Sequence, residues 1–233
     1  SSYFGICDLA GLPKDRYYLY RSRWQKEDHT IHLLPHWTWG KERRGQVTPV
    51  YCYTDYPTAE LFVNGKSQGK ITKNPKERLD RYRLRWNDVK YEPGQLRVVV
   101  YDEQGRQAGE QIVSTAGKPS KLKLDVWTQH EAEWLKADGE DLAFITVSLT
   151  DAKGTVIPDA NDQLSFEVSG AGRFEAVCNG DATSLESFKK PTMKLFSGQL
   201  VVVVRSDKKA GNLTLKVKDS QRKISETITL KIE

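Results

Sequence analysis

The sequence predicts an all-β fold of two immunoglobulin-like β-sandwich domains, preceded by a short helical segment. Beyond residue 30, stretches rich in β-branched and aromatic residues alternate with turns that carry Gly, Pro, Asn or Asp. Helical periodicity of apolar residues does not continue past that point. The 233 residues are enough for one or two domains, each with its own hydrophobic core.

The first 24 residues have a different pattern. Pro13 suits the first turn of a helix, where its missing N–H leaves no hydrogen bond unmade. The segment from Lys14 to Trp24 contains neither Gly nor Pro, and Tyr17, Tyr20 and Trp24 recur at helical spacing. A helix this short is marginal in water, so its aromatic stripe needs a packing partner that the segment itself does not supply.

We expect the first sandwich between residues 29 and 116. Its clearest signal is the pair Asn64 and Gly65, because both residue types accept the positive φ of a two-residue hairpin turn. The predicted strands cover residues 30–34, 47–54, 59–63, 66–71, 81–86 and 96–102.

We expect the second sandwich over residues 117–233. The segment AGKPS at 116–120 is small, polar and contains proline, which is typical of a domain boundary. Six or seven strands in about 110 residues favour an immunoglobulin-like sandwich. The predicted strands cover residues 122–126, 142–150, 163–169, 199–205, 212–218 and 223–232.

Composition argues against several partners. The net charge is +5, but 36 basic and 31 acidic residues are interleaved, so we expect no nucleic-acid partner. No apolar run approaches the roughly 20 residues that cross a bilayer, so we expect no membrane partner. Cys7, Cys52 and Cys178 are far apart and predict neither a disulfide framework nor a zinc site.

The histidines do not predict a metal site. His29, His32 and His36 lie within eight residues. On an extended strand, however, His32 and His36 would be about 13 Å apart at roughly 3.3 Å per residue, which is too far for one metal ion. The segment HEAEW at 130–134 lacks the second histidine of a zinc-protease helix.

The carboxylates do not predict a catalytic pair. Glu140 with Asp141, Asp159 with Asp162, and the two glutamates within residues 130–134 all fall in polar, loop-like stretches. General acid–base catalysis needs two carboxylates in different environments inside a cleft. We therefore predict no catalytic residue, no metal and no cofactor in this chain.

The segment HWTWG at 36–40 is the most suggestive cluster. On an extended strand, the spacing of Trp37 and Trp39 would put both indoles on one face. Such a surface can stack on sugar rings, and it can equally anchor one domain against another. His36, Trp37 and Trp39 are therefore candidate contacts for a carbohydrate or for a docked domain, and the sequence leaves both open.

Six motifs follow one another along the chain: GICDLAGLPKDRYYLY at 5–20, HLLPHWTW at 32–39, AELFVNGKS at 59–67, DGEDLAFITV at 138–147, VIPDA at 156–160 and CNGD at 178–181. In this order they resemble the C-terminal region of family 2 glycoside hydrolases of the bacterial β-galactosidase type, Bacteroides enzymes in particular. The resemblance covers essentially the whole chain.

The resemblance implies a domain plan. Residues 1–28 would be the last loop and helix of a catalytic (β/α)₈ barrel, and the aromatic stripe of that helix would pack on the barrel. Residues 29–116 and 117–233 would be accessory sandwiches. The two catalytic glutamates of these retaining enzymes, about 5–5.5 Å apart, would precede residue 1. The loop of Asp8 would come nearest to the active-site face.

The resemblance also implies a function. The chain would be non-catalytic and would support the barrel, the rim of the substrate pocket and oligomer contacts. Its partners would be its own barrel, with β-galactoside oligosaccharides and a second copy as further candidates, and its location periplasmic or secreted in a Gram-negative bacterium. An independent carbohydrate-binding module and a structural, adhesion-type immunoglobulin-like array remain alternatives. The substrate could be a galactoside, a glucuronide or a mannoside.

Overall fold

The protein is described here by a computed structural model of residues 4–130 and 134–233. Within those ranges it is almost entirely β-structure, with one α-helix, α1 (Asp15–Trp24), and one 3₁₀ turn (Lys41–Arg43). This confirms the predicted all-β class, and α1 begins one residue later than predicted. No helix in the described ranges is both long and apolar enough to cross a membrane.

The chain divides into two compact units. The first unit is Pro13–Thr115, and the second consists of residues 4–12 together with 116–233. The boundary falls just before the segment AGKPS, which the sequence marks as a linker. Of the segment predicted as residues 1–28, residues 4–12 belong to the second unit and α1 belongs to the first.

The first unit is a sandwich of two antiparallel sheets. Its strands are β1 (Ile31–Leu34), β2 (Val50–Thr54), β3 (Thr58–Val63), β4 (Lys66–Thr72), β5 (Leu84–Trp86), β6 (Gln95–Tyr101) and β7 (Gln107–Ser114). One sheet has the order β1-β2-β5 and the other β4-β3-β6-β7. Along β3 every second side chain is buried, as expected for a strand with one face on a core.

The second unit is a larger sandwich. Its strands are β8 (Lys121–Thr128), β9 (Trp134–Leu135), β10 (Leu142–Thr150), β11 (Gln163–Gly170), β12 (Gly172–Cys178), β13 (Thr192–Lys194), β14 (Gln199–Ser206), β15 (Gly211–Asp219) and β16 (Ile224–Ile232). The two sheets have the orders β12-β14-β10-β8 and β13-β11-β15-β16-β9. Ala143, Ile145 and Val147 of β10 are fully buried between them.

The predicted hairpin between β3 and β4 is confirmed. Asn64 and Gly65 form its turn with φ values of +50° and +81°. Two longer strands, β7 and β12, were not predicted. Strand β7 lies at a sheet edge and none of its residues is fully buried, and its apolar residues do not follow its burial: Ile112 is exposed, whereas Gln111 is partly buried. Strand β12 carries a bulge between Phe174 and Ala176, which breaks the period of two.

Candidate functional site

Trp37 lies in the core of the first unit. Its side chain has no exposed surface, and its indole Nε1 donates a hydrogen bond to the carbonyl oxygen of Glu92 at 2.9 Å. Its ring packs edge-on against Tyr91, with 5.0 Å between ring centroids. A sugar ring needs an open aromatic face, so Trp37 cannot offer one in this fold.

Trp39 and His36 lie together at the edge of that core. Their rings are 4.1 Å apart, and the Arg43 guanidinium lies 5.2 Å from the Trp39 ring. The Trp39 indole N–H is buried and has no hydrogen-bond partner within the described ranges. The two indoles do not share an open strand face, because β1 ends at Leu34 and the following residues turn Trp37 inward.

The other sequence-selected histidines pair with carboxylates in separate places. His32 Nε2 lies 2.8 Å from Asp15 Oδ1, and its ring stacks on Tyr18 with centroids 3.9 Å apart. His29 pairs with Asp55. Among the described residues, no group of three or more His, Cys, Asp or Glu side chains is placed to hold a metal ion.

Two of the acidic residues singled out in the second unit, Asp141 and Asp162, have structural partners. Asp141 is buried and accepts hydrogen bonds from His130 Nε2 at 2.7 Å and from the Lys136 N–H at 2.8 Å. Burial by itself would raise the pKa of Asp141, but these donors hold it below the ordinary value. Asp162 pairs with Arg222 at 2.7 Å. The two glutamates in the HEAEW segment lie outside the described residues.

Helix α1 exposes an aromatic patch. Tyr20 and Trp24 stack with centroids 4.7 Å apart, and 71% of Trp24 is exposed. Together with Leu19, Arg23 and Tyr82 they line a groove of about 350 Å³. The opposite side of the helix packs on the first unit, where Tyr18 meets His32. The predicted stripe therefore remains open at Tyr20 and Trp24.

The loop that contains Asp8 is held inside the second unit. Asp8 Oδ1 accepts hydrogen bonds from the N–H groups of Ala10 at 2.8 Å and Leu12 at 2.9 Å, which closes the loop on itself. The other carboxylate oxygen lies against Gly180: a Cβ atom built on Gly180 would be 2.2 Å from Asp8 Oδ2. Gly180 also has a φ of +80°, which glycine adopts without strain.

The segment CNGD at 178–181 forms the turn that contacts this loop. The Asn179 side chain donates a hydrogen bond to the carbonyl oxygen of Lys194 at 3.0 Å and accepts one from the Asp181 N–H at 3.1 Å. Burial raises the pKa of the Cys178 thiol, and the nearby Asp8 carboxylate raises it further. Reasoning from residues alone missed Gly180, whose only signal was its place in the CNGD motif.

Comparison with known proteins identifies both units. The model of "Glycoside hydrolase family 2 C-terminal domain 5" matches residues 122–228, and that of a domain of unknown function, DUF4982, matches residues 45–109. The β-galactosidase BoGH2A of Bacteroides ovatus is 43% identical over 216 residues, which are 92% of this chain and 24% of that protein. A β-glucuronidase of Formosa agariphila is 28% identical over 92% of this chain and 20% of its own length.

A solved structure agrees with these relatives. A β-glycosidase from Bacteroides vulgatus superimposes with a TM-score of 0.87 at 31% identity, over 98% of this chain and 28% of that protein. The chain thus spans about a quarter of the length of the relatives that it matches. It belongs to family 2 of the glycoside hydrolases and corresponds to the C-terminal domains of those enzymes.

Proposed function

We propose that this chain is the non-catalytic C-terminal part of a β-galactosidase-like enzyme, and that its two units hold the end of a catalytic barrel in place. The observation that supports this proposal is the close contact between Asp8 and Gly180 in the second unit. The identity of 43% to the β-galactosidase BoGH2A supports a β-galactoside as the proposed substrate of the whole enzyme.

The second unit would act by restraining the Asp8 loop. A loop that borders an active site must keep its shape while a substrate binds and leaves, and a rigid scaffold provides that restraint. Here the loop is closed by two backbone hydrogen bonds to Asp8, and it contacts a turn that Asn179 ties to the neighbouring backbone. The sandwich would thus shape the pocket rim without touching the substrate.

The first unit would act through helix α1. One side of the helix is fixed on the sheet by the contact of Tyr18 with His32, which leaves Tyr20 and Trp24 open. Exposed apolar patches with a polar border are typical of interaction sites. We propose that this patch packs against the catalytic barrel, as the resemblance implies.

The proposal extends to location and assembly. We place the enzyme in the periplasm or outside a Gram-negative cell, with its own barrel as the main partner and a second copy as a further partner. Both points of this proposal rest on the similarity of the chain to Bacteroides enzymes. Cell fractionation and sedimentation of the whole enzyme would test the two points separately.

A chimera tests the accessory role. This chain would replace the matching C-terminal region of Bacteroides ovatus BoGH2A, and hydrolysis of nitrophenyl β-galactoside would be measured. We expect an active chimera and no hydrolysis by the chain alone. In the chimera, Gly180→Ala should lower kcat/KM about tenfold, or roughly 1.4 kcal/mol, because the new methyl group displaces Asp8.

Gly154→Ala is the matched control. Gly154 has a φ of +87°, close to that of Gly180, but nothing lies within 4 Å of its Cβ position. Both variants therefore carry the same backbone strain, and only one disturbs Asp8. Equal loss of activity in the two variants, or hydrolysis by the isolated chain, would contradict the proposal.

A further inference from the structure

Trp127 is an unusual residue on the outward face of β8. The other outward positions near it carry charged side chains, Lys123 and Asp125, whereas Trp127 places an indole in solvent with 62% of the residue exposed. It is also not an isolated exposed side chain. In the sheet it lies directly opposite Phe144 of β10, which in turn lies opposite Val203 of β14, so an apolar row crosses three strands.

The indole is held in a defined position. The Trp127 and Phe144 rings meet edge to face, with centroids 5.5 Å apart and an angle of 61° between planes. Aromatic pairs in this geometry are favourable beyond the area that they bury. The two rings and Leu142 form one wall of a groove of about 450 Å³, a volume typical of small-ligand sites.

The rest of the groove's lining is polar and acidic. It consists of Gln129, Asp138, Glu140 and Asp141. Asp141 is fixed by hydrogen bonds that include one from the Gln129 amide at 2.8 Å. Asp138 accepts the N–H groups of Glu140 and Asp141, each at 2.8 Å, and these bonds lower its pKa, so it stays ionised at neutral pH. Asp138 and Asp141 are thus restrained by hydrogen bonds, and Asp138 and Glu140 carry carboxylate oxygens that can accept further ones.

We propose that this groove binds a neutral saccharide, with one sugar ring stacked on Trp127 and its hydroxyl groups donating hydrogen bonds to Asp138 and Glu140. A pyranose ring has a face of C–H groups and an edge of hydroxyl groups, which matches an aromatic wall beside carboxylate acceptors. A uronate or phosphate ligand would be repelled by the same carboxylates. The choice of a saccharide over a basic peptide rests on the proposed role in a glycosidase.

The test uses the whole 233-residue chain and isothermal titration calorimetry, which measures binding without depending on the indole that is substituted. The probes are a neutral β-galacto-oligosaccharide mixture and polygalacturonate, each titrated to millimolar sugar. We expect saturable binding of the neutral probe, at least fivefold weaker binding of the polyuronate, and loss of neutral binding by tenfold or more in Trp127→Ala. Trp127→Tyr should retain most of the affinity, because it keeps a flat ring.

Phe196→Ala is the matched control, since Phe196 is an exposed aromatic residue of the same unit that does not line the groove. It should bind the neutral probe as the unchanged chain does. Absence of saturable binding, equal loss in Trp127→Ala and Phe196→Ala, or preference for the polyuronate would overturn the proposal. So would binding of an oligolysine peptide, but not of the sugar, through Trp127. Because the barrel takes no part in this assay, its outcome is independent of the chimera test.

Discussion

Trp37 and Trp39 are two residues apart, yet the structure gives them different environments. Trp37 is completely buried and hydrogen-bonded to Glu92, while Trp39 is half-buried between His36 and Arg43. The sequence motif therefore combines a core residue with an edge residue. At the residue scale, sugar contact is better supported for Trp127, a residue that no sequence pattern distinguished.

Lys73 gives a pH prediction at the same scale. Burial lowers its pKa from 10.5 to about 8, and the nearby Arg23 contributes in the same direction. Between those two values the unfolded chain binds a proton that the folded chain has lost. The free energy of unfolding should therefore rise with pH between about pH 8 and pH 10.5. Below about pH 8, Lys73 is protonated in both states and should not contribute to the pH dependence.

Urea unfolding at pH 7.0 and at about pH 9.5 checks this expectation. Lys73→Met removes the titrating group, so its unfolding free energy should rise less between the two pH values than that of the unchanged chain. Lys66→Met, at an exposed hairpin position, is the control and should leave the slope unaltered. The same slope in all three proteins would show that Lys73 is not the cause.

At the scale of elements, the hairpin between β3 and β4 does more than reverse the chain. The Asn64 side chain accepts a hydrogen bond from the Gln95 N–H at 2.8 Å and donates one to the Pro93 carbonyl oxygen at 3.0 Å. The turn is therefore attached to the start of β6, the strand that pairs with the other edge of β3. The sequence predicted the turn but not this attachment.

Two substitutions at Asn64 separate its roles. Asn64→Gly keeps the freedom to adopt positive φ and loses only the side-chain hydrogen bonds, so we expect a loss of about 1 kcal/mol in the free energy of unfolding. Asn64→Ala also adds backbone strain, so we expect a loss of about 2–3 kcal/mol. Chemical unfolding of both variants is the measurement. An equal effect of the two would mean that positive φ has no energetic weight at this turn.

At the scale of the whole molecule, the two hydrophobic cores have no residue in common. Leu61 belongs to the core of the first unit and Ile145 to that of the second, and both are fully buried. Each core draws on both sheets of its own sandwich. Each unit therefore has the main source of its stability within itself.

Core truncations in each unit test this organisation. Leu61→Ala and Ile145→Ala should each destabilise their own unit by about 2–5 kcal/mol. Hydrogen exchange followed by mass spectrometry should show faster exchange in the strands of the altered unit, with those of the other unchanged. If Leu61→Ala accelerates exchange equally in both units, the cores do not act separately.

Prediction from sequence was most successful where the signal is local. Strands with strict alternation, such as β3, were located to within a residue, and so was the Asn64–Gly65 turn. Strand β7 was missed because its partly buried positions carry Gly109 and Gln111 and its exposed face carries Ile112, and β12 because its bulge interrupts the period. In the candidate site, Asp8 was recognised only through the resemblance, and Gly180 only as part of a motif.

The all-β class and the position of the helix could be predicted from the sequence alone, because they depend on residue preferences and periodicities that act over a few positions. The family was recognised separately, through the resemblance of six motifs in their order. The tertiary structure was needed to show which tryptophans are buried, that Gly180 makes room for Asp8, and that Trp127 lines one groove with Asp138 and Glu140. Each of these depends on residues far apart in the chain, and alternation along a strand does not specify what lies across from its face.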